Sequence, residues 1–292
     1  MIKGWKRNVS LKPLTSFRIG GRARFFTSVF SEEELEATVK KAREKGLPLF
    51  VLSGGTNLLV PDKGFPGLVV KISLGKVNWQ KNRVKAEAGV PLPFLVEEAR
   101  GRGLSELEWA AGIPGLLGGA IRGNAGTKEE YLSGVLEKVR VFNQETLSFQ
   151  ELSPADCQFG YRRSIFQKRP ELIISSASLK LTPAPLKEIE ARIADYLEAR
   201  RKQPLNFPSA GSIFKNPALA PAGWLIEQAG LKGRRVGQAQ VSSRHANFIV
   251  NLGRARSGQV LALIEEIETR VKRQFGISLE KEIVVLEMGE NT

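Results

Sequence analysis

The chain has 292 residues with 42% hydrophobic and 25% charged side chains, which is ordinary globular usage and long enough for about two domains with a sizeable core. A single cysteine, Cys157, and a single histidine, His245, exclude an internal disulfide and a Cys/His zinc or iron–sulfur centre, so no metal is expected. Forty-four Lys+Arg against 30 Asp+Glu leave a net charge of +14, which favours anionic partners. The basic residues are spread along the chain with no aromatic RNA-binding motif or basic helical arm, so nucleic acid is not the expected partner. No apolar run reaches the roughly 20 residues of a bilayer span, and no membrane association is expected.

In chain order, residues 1–6 are not followed by an apolar stretch with a small-residue cleavage site, so a cytoplasmic protein is expected. Ser31 followed by three glutamates is a helix cap, with Leu35, Val39 and Ala42 facing inward and Gly46 as the stop. The apolar run 47–52 predicts a buried strand that enters Ser53-Gly54-Gly55-Thr56-Asn57 directly. Further strands are predicted at 68–72, 84–88, 135–142 and 172–181, with few long helices between them, so the first 180 residues read as α+β. Thr182-Pro183-Ala184-Pro185 predicts a linker and a domain boundary. A helix over 186–202 follows, with Leu186, Ile189, Ile193 and Leu197 inward. A second helix starts at Ser257, carries Val260, Ile264, Ile267 and Val271 on one face and ends at Gly276, before a strand at 283–286.

Two glycine-rich segments have the chemistry of a diphosphate cradle, because small residues admit a ligand to backbone N–H groups. Residues 53–57 also fit an ordinary turn. The second segment, Gly112-Ile113-Pro114-Gly115-Leu116-Leu117-Gly118-Gly119-Ala120 and then Asn124-Ala125-Gly126, has Arg122 as its one charged side chain. So many glycines cost conformational entropy on folding, which implies a close approach to the backbone. Neither segment has the Gly-x-Gly-x-x-Gly or Gly-Lys-Ser/Thr pattern of the common nucleotide folds.

Those two segments resemble the FAD-binding loops of the UDP-N-acetylenolpyruvoylglucosamine reductases, the MurB family, with Gly54-Gly55-Thr56-Asn57-Leu58-Leu59-Val60 as the first. Three more motifs follow in the family's order: Tyr161-Arg162-Arg163-Ser164, Gly211-Ser212-Ile213-Phe214-Lys215-Asn216-Pro217 and Leu279-Glu280-Lys281-Glu282-Ile283. The short interval between Arg163 and Ser212 resembles the subfamily without a tyrosine-bearing substrate loop, and Thr127-Lys128 stands where the family has Tyr-Gly.

With the break at 182–185, the resemblance implies a two-lobed FAD-binding domain of the PCMH/vanillyl-alcohol-oxidase type over 1–184, its lobes split near residue 67. An α+β substrate domain would occupy 185–292, its last strand 283–287 returning towards the active site. FAD is expected at Ser53, Gly54, Gly55, Thr56, Asn57 and Leu58, and at Gly112, Ile113, Pro114, Gly115, Gly118, Gly119, Ala120, Asn124 and Ala125. The implied catalytic residues are Arg162, whose fork suits a carboxylate, Ser212 as proton donor and Glu282 at a strand mouth. Tyr161, Lys215, Asn216 and His245 are the implied substrate contacts. NADPH is the implied hydride donor, a UDP-sugar the substrate and a monomer the working state. From spacing alone Arg162 and Glu282 also read as surface charges, and Ser212 as a turn serine. Ser242 and Ser243 beside His245 invite a hydrolytic triad, but no Gly-x-Ser-x-Gly elbow exists. Another flavoprotein of the same fold and a basic RNA-binding protein are the alternatives.

Overall fold

A computed structural model describes residues 4–127, 129–204 and 206–286, and shows a mixed α+β chain. It divides into two compact units: residues 1–26, 55–68 and 201–292 form one, and residues 27–54 and 69–200 the other. The strands Arg22–Val29 and Phe65–Ile72 each begin in the first unit and finish in the second. The division differs from a single break at 184/185, since the N-terminal segments cluster with the C-terminal third.

The second unit is built on a five-stranded antiparallel sheet, in the order Ser148–Leu152, Leu136–Asn143, Leu172–Lys180, Arg83–Glu87 and Val77–Gln80. Its first helix, Glu32–Glu44, forms where the capping pattern predicts it. Ser31 accepts the Glu34 N–H at 3.2 Å, Leu35, Val39 and Ala42 are buried, and Gly46 adopts φ +58° past the end. Such a cap contributes about 1 kcal/mol. The expected linker is instead a short strand, Thr182–Pro183, paired with Leu104–Ser105. Pro183 is tolerated at this edge because a two-residue ladder leaves its missing N–H unneeded.

The helix Leu186–Arg200 buries Ile189 and Ile193 as expected, but Leu186 and Leu197 are 48% and 44% exposed. Two short helices, Leu92–Gly101 and Leu117–Gly123, were not legible in the sequence, and the second lies inside the glycine-rich segment.

In the first unit, Lys6–Ser10 pairs antiparallel with the start of Arg22–Val29. Ser209–Ser212, Phe248–Asn251, Ala239–Val241 and Arg235–Val236 form a four-stranded antiparallel sheet, in that order. The helix Ser257–Phe275 covers it with Val260, Ile264, Ile267 and Val271 inward, and Gly276 ends it at φ +72°. Asp62 caps that helix from a distant loop, its carboxylate accepting the Ser257 N–H at 3.1 Å. The core joins Phe17 and Ile19 to Leu59 and to Ile213, Phe214 and Ile283, so all three chain segments share one apolar interior. Val284–Val285 pairs parallel with Leu58–Leu59, and residue 287 of the expected last strand lies outside the described residues.

Candidate active site

Within the second unit the start of the first glycine segment, Ser53-Gly54, meets the second segment. A Cβ on Gly54 would stand 3.4 Å from Leu116 Cγ and 3.5 Å from Leu116 N, and a Cβ on Gly119 3.1 Å from Ser53 Oγ. The Ser53 hydroxyl is buried and has no hydrogen-bond partner among the described residues. A buried orphan hydroxyl is costly unless something outside the chain completes it. Gly115 O accepts the Leu92 N–H, Leu117 N–H reaches Val90 O and Gly118 N–H reaches Ala88 O, each at 2.9 Å, so the segment's path is fixed by backbone bonds. Gly118 has a packing reason as well, because a Cβ there would meet Ala88 Cβ at 2.9 Å. Gly112 (φ +72°) is exposed, as are Pro114 and Gly119, whereas the side chain of Ala120 is buried and that of Ile113 half-buried.

Asn124 ends the short helix in the left-handed region at φ +42°. Its buried side chain donates to Gly160 O at 2.9 Å and accepts from Ser133 N–H at 3.1 Å, which fixes the helix end against two other loops. Ala125 is held on both sides, its N–H on Ala120 O and its O under Leu132 N–H, both at 2.8 Å. Lys128 lies outside the described residues.

Arg162 sits in a tight turn closed by Gly160 and Arg163, with a left-handed φ of +51° that costs a non-glycine residue energy. Its Nη2 donates to Gly126 O at 2.8 Å and its Nη1 points at Asn124 O at 3.5 Å. Exposed Tyr161 lies beneath the guanidinium, 5.8 Å from Cζ to ring centroid. Arg200 approaches from the helix Leu186–Arg200, donating to Ala111 O at 2.7 Å and Trp109 O at 2.9 Å. Burial, and next the Arg162 charge, press its pKa down. Burial alone does the same to Arg122, which has no carboxylate partner among the described residues. Three guanidinium groups around one loop favour an anion.

In the first unit hydrogen bonds draw together the motifs that carry Ser212, Glu282 and Asn57. Glu282 N–H donates to Ile213 O at 2.8 Å, directly after Ser212, and Asn57 Nδ2 donates to Glu282 O at 2.9 Å. Ser16 ties the same place together, donating from Oγ to Ser209 O at 2.7 Å while its N–H reaches Gly55 O at 3.1 Å. Gly55 is required there: at φ +63°, a Cβ would stand 2.3 Å from Leu14 O. Thr56 is half-buried, while Leu58 is buried in its strand, so its side chain belongs to the core.

Lys215 Nζ pairs with Glu280 Oε1 at 2.5 Å, and Asn216 Oδ1 accepts the Ala222 N–H at 3.0 Å at the start of a short helix. Ser242 gives no nucleophile: it is buried, and its Oγ accepts the N–H groups of Arg244 and His245 at 3.1 and 3.3 Å. His245 Nδ1 accepts the Asn247 N–H at 3.3 Å, and burial lowers its pKa below 6.5. Cys157 is fully buried, its thiol pushed up to about 11 by burial and then by Asp156, which makes it inert.

Residues 203–286 match the model of the UDP-N-acetylenolpyruvoylglucosamine reductase C-terminal domain, and residues 24–145 that of an FAD binding domain. The chain is 42% identical over 282 residues to UDP-N-acetylenolpyruvoylglucosamine reductase of Synechococcus sp. (strain JA-3-3Ab), covering 95% of this chain and 90% of the relative. The chain belongs to the UDP-N-acetylenolpyruvoylglucosamine reductase family. A relative from Syntrophus aciditrophicus is 43% identical over 279 residues, covering 93% and 88% of the two chains. The crystal structure of the reductase from Thermus caldophilus matches at a TM-score of 0.83 with 40% identity, covering 96% of this chain and 98% of that one. The FAD that the family uses fits the second unit: the Ser53 hydroxyl, which lacks a hydrogen-bond partner among the described residues, and the Cβ-free faces of Gly54 and Gly119 form a small polar cradle.

The sequence alone did not point to Ser16, Arg200, Glu130, Arg192 or Tyr196. The last two are four apart on a predicted helix, which was the available signal, but their partners lie about 60 residues away in sequence.

Proposed function

We propose that this reductase converts UDP-N-acetylglucosamine enolpyruvate to UDP-N-acetylmuramate for peptidoglycan precursors, working in the cytoplasm as a monomer that does not bind nucleic acid. FAD, when bound, carries a hydride equivalent from NADPH to the terminal carbon of the enolpyruvyl double bond. The FAD-binding domain is taken as 1–184 and the substrate domain as 185–292, although the compact units divide the chain differently. The single observation that best supports the assignment is the junction at which Ile213 O, directly after Ser212, accepts the Glu282 N–H while the Asn57 side chain donates to Glu282 O, because it unites three separate family motifs in one unit.

Each residue then has a defined task. Ser53, Gly54, Gly55, Thr56 and Asn57, with Leu58 through its backbone, hold the cofactor at the first segment. Gly112, Ile113, Pro114, Gly115, Gly118, Gly119, Ala120, Asn124 and Ala125 hold it at the second. Arg162 meets the substrate carboxylate, where negative charge grows as the hydride adds. Ser212 delivers a proton to the carbon next to the carboxylate, and Glu282 hydrogen-bonds in the same place. Tyr161, Lys215, Asn216 and His245 orient the UDP-sugar. No helix among the described residues is long and apolar enough to cross a membrane.

Anaerobic stopped-flow tests the assignment. Protein reduced with NADPH should be reoxidised when the enolpyruvyl substrate is added. Reduction without reoxidation would assign the flavin chemistry to another acceptor.

A further inference from the structure

The helix Leu186–Arg200 carries three polar residues on one stripe, Arg192, Tyr196 and Arg200, spaced four apart and half-buried. Arg200 reaches the entrance of the second glycine segment through Ala111 O and Trp109 O, and a Cβ on Gly112 would stand 3.0 Å from Arg200 Cδ. Tyr196 OH and Arg192 Nη2 both donate to the Glu130 carboxylate at the segment's exit. Arg192 Nη1 also donates to Ser105 Oγ at 3.1 Å, and Ser105 Oγ donates to the Glu108 carboxylate, 2% exposed, at 2.6 Å. The clamp is therefore anchored in a buried polar network.

From Glu130 the contact continues inward. Glu130 O accepts the Thr127 N–H at 2.7 Å, and a Cβ on Gly126 would stand 2.2 Å from that same oxygen, so Gly126 is pressed against Glu130. Gly126 O in turn accepts Arg162 Nη2 at 2.8 Å. We infer that Arg192, Tyr196 and Arg200 are positioning residues which fix both ends of the second glycine segment and, through Glu130 and Gly126, the Arg162 guanidinium. The clamp's role toward FAD rests on the reductase assignment above; its hold on the loop does not. Charge-assisted hydrogen bonds hold better than neutral ones, which suits a clamp that must keep a glycine-dense strip in one path.

The test uses Tyr196→Phe, which removes only a hydroxyl, Arg200→Lys, and Glu130→Gln alone and combined with Tyr196→Phe. Three quantities are read: thermal midpoint, hydrogen exchange across residues 109–134 of the FAD-free chain, and FAD affinity by flavin fluorescence. The expected result is faster exchange confined to 109–134 and FAD affinity weakened about tenfold per lost charged hydrogen bond, with thermal midpoints within a few degrees of wild type. The double variant should be less than additive, since both changes break one contact. Tyr196→Phe and Arg200→Lys with wild-type exchange across 109–134, or with faster exchange spread over the whole helix and a lowered midpoint, would overturn the clamp. A wild-type chain that bound no FAD would sink the reductase assignment instead, and the clamp would then be decided by the exchange of the FAD-free chain alone.

Discussion

The Ser53 hydroxyl lies 3.1 Å from the point where a Cβ on Gly119 would stand, buried and without a hydrogen-bond partner among the described residues. The gap between these two residues is where the first and second glycine segments meet, and a valine there would fill it. Gly119→Val should therefore fold with ordinary helix and strand content yet purify with little flavin. The ratio of visible flavin absorbance to protein measures this, and full flavin content in a folded variant would remove the cradle.

Arg162→Lys keeps the charge but loses the fork that reaches Gly126 O. Reoxidation by substrate should slow by roughly 10²–10³, the range for one charge-stabilising donor. Near-normal turnover would return Arg162 to the status of a surface cation.

Ser212→Ala should separate the half-reactions, because only the enolpyruvyl carbon needs a proton there. Reduction by NADPH should stay within a few-fold of wild type, while reoxidation by substrate slows by roughly 10²–10⁴. Equal loss in both halves, measured by stopped-flow, would make this serine a loop residue beside Glu282 and nothing more.

His245 is the one histidine of the chain, so its ring protons give an isolated NMR signal. Burial lowers its pKa below 6.5, and the sign follows: the unfolded chain binds the proton more readily. Its contribution to stability is full above the unfolded value and is lost as pH falls through the folded one. An NMR titration midpoint at or above 6.5 would contradict the burial.

Local signals survived folding where their partners are local. The Ser31 cap, the Gly46 and Gly276 stops and the inward stripe of the helix Ser257–Phe275 were all readable, because each pattern closes within a turn or one face. The helix Leu117–Gly123 was hidden because glycine disfavours helix by about 1 kcal/mol per residue, and the contact of Gly118 with Ala88 that accompanies it comes from elsewhere in the chain. The stripe of the helix Leu186–Arg200 was half misread for a similar reason: Arg192, Tyr196 and Arg200 take half-buried positions whose partners are a carboxylate, a hydroxyl and two carbonyls 62 to 91 residues away. Of the site, the motifs named the residues in each unit. Spacing could not reveal that Asn124 spends its amide on Gly160 and Ser133.

Phe17 and Ile19 are buried at 0% and 1% exposure in a core whose other walls, Leu59 apart, come from residues 210–283. A ribosome adding roughly 5–20 residues per second therefore needs on the order of ten seconds or more to supply those walls after Ile19 emerges. During that interval the aromatic ring and its neighbour have no native partner, while the second unit can be completed once residue 200 has left the tunnel. The nascent chain is thus born out of order: the segment made first is among the last to be sheltered. A stop codon between residue 200 and the strand Phe248–Asn251 leaves an intact-looking middle with an adhesive amino terminus, a natural target for holdase chaperones and proteases.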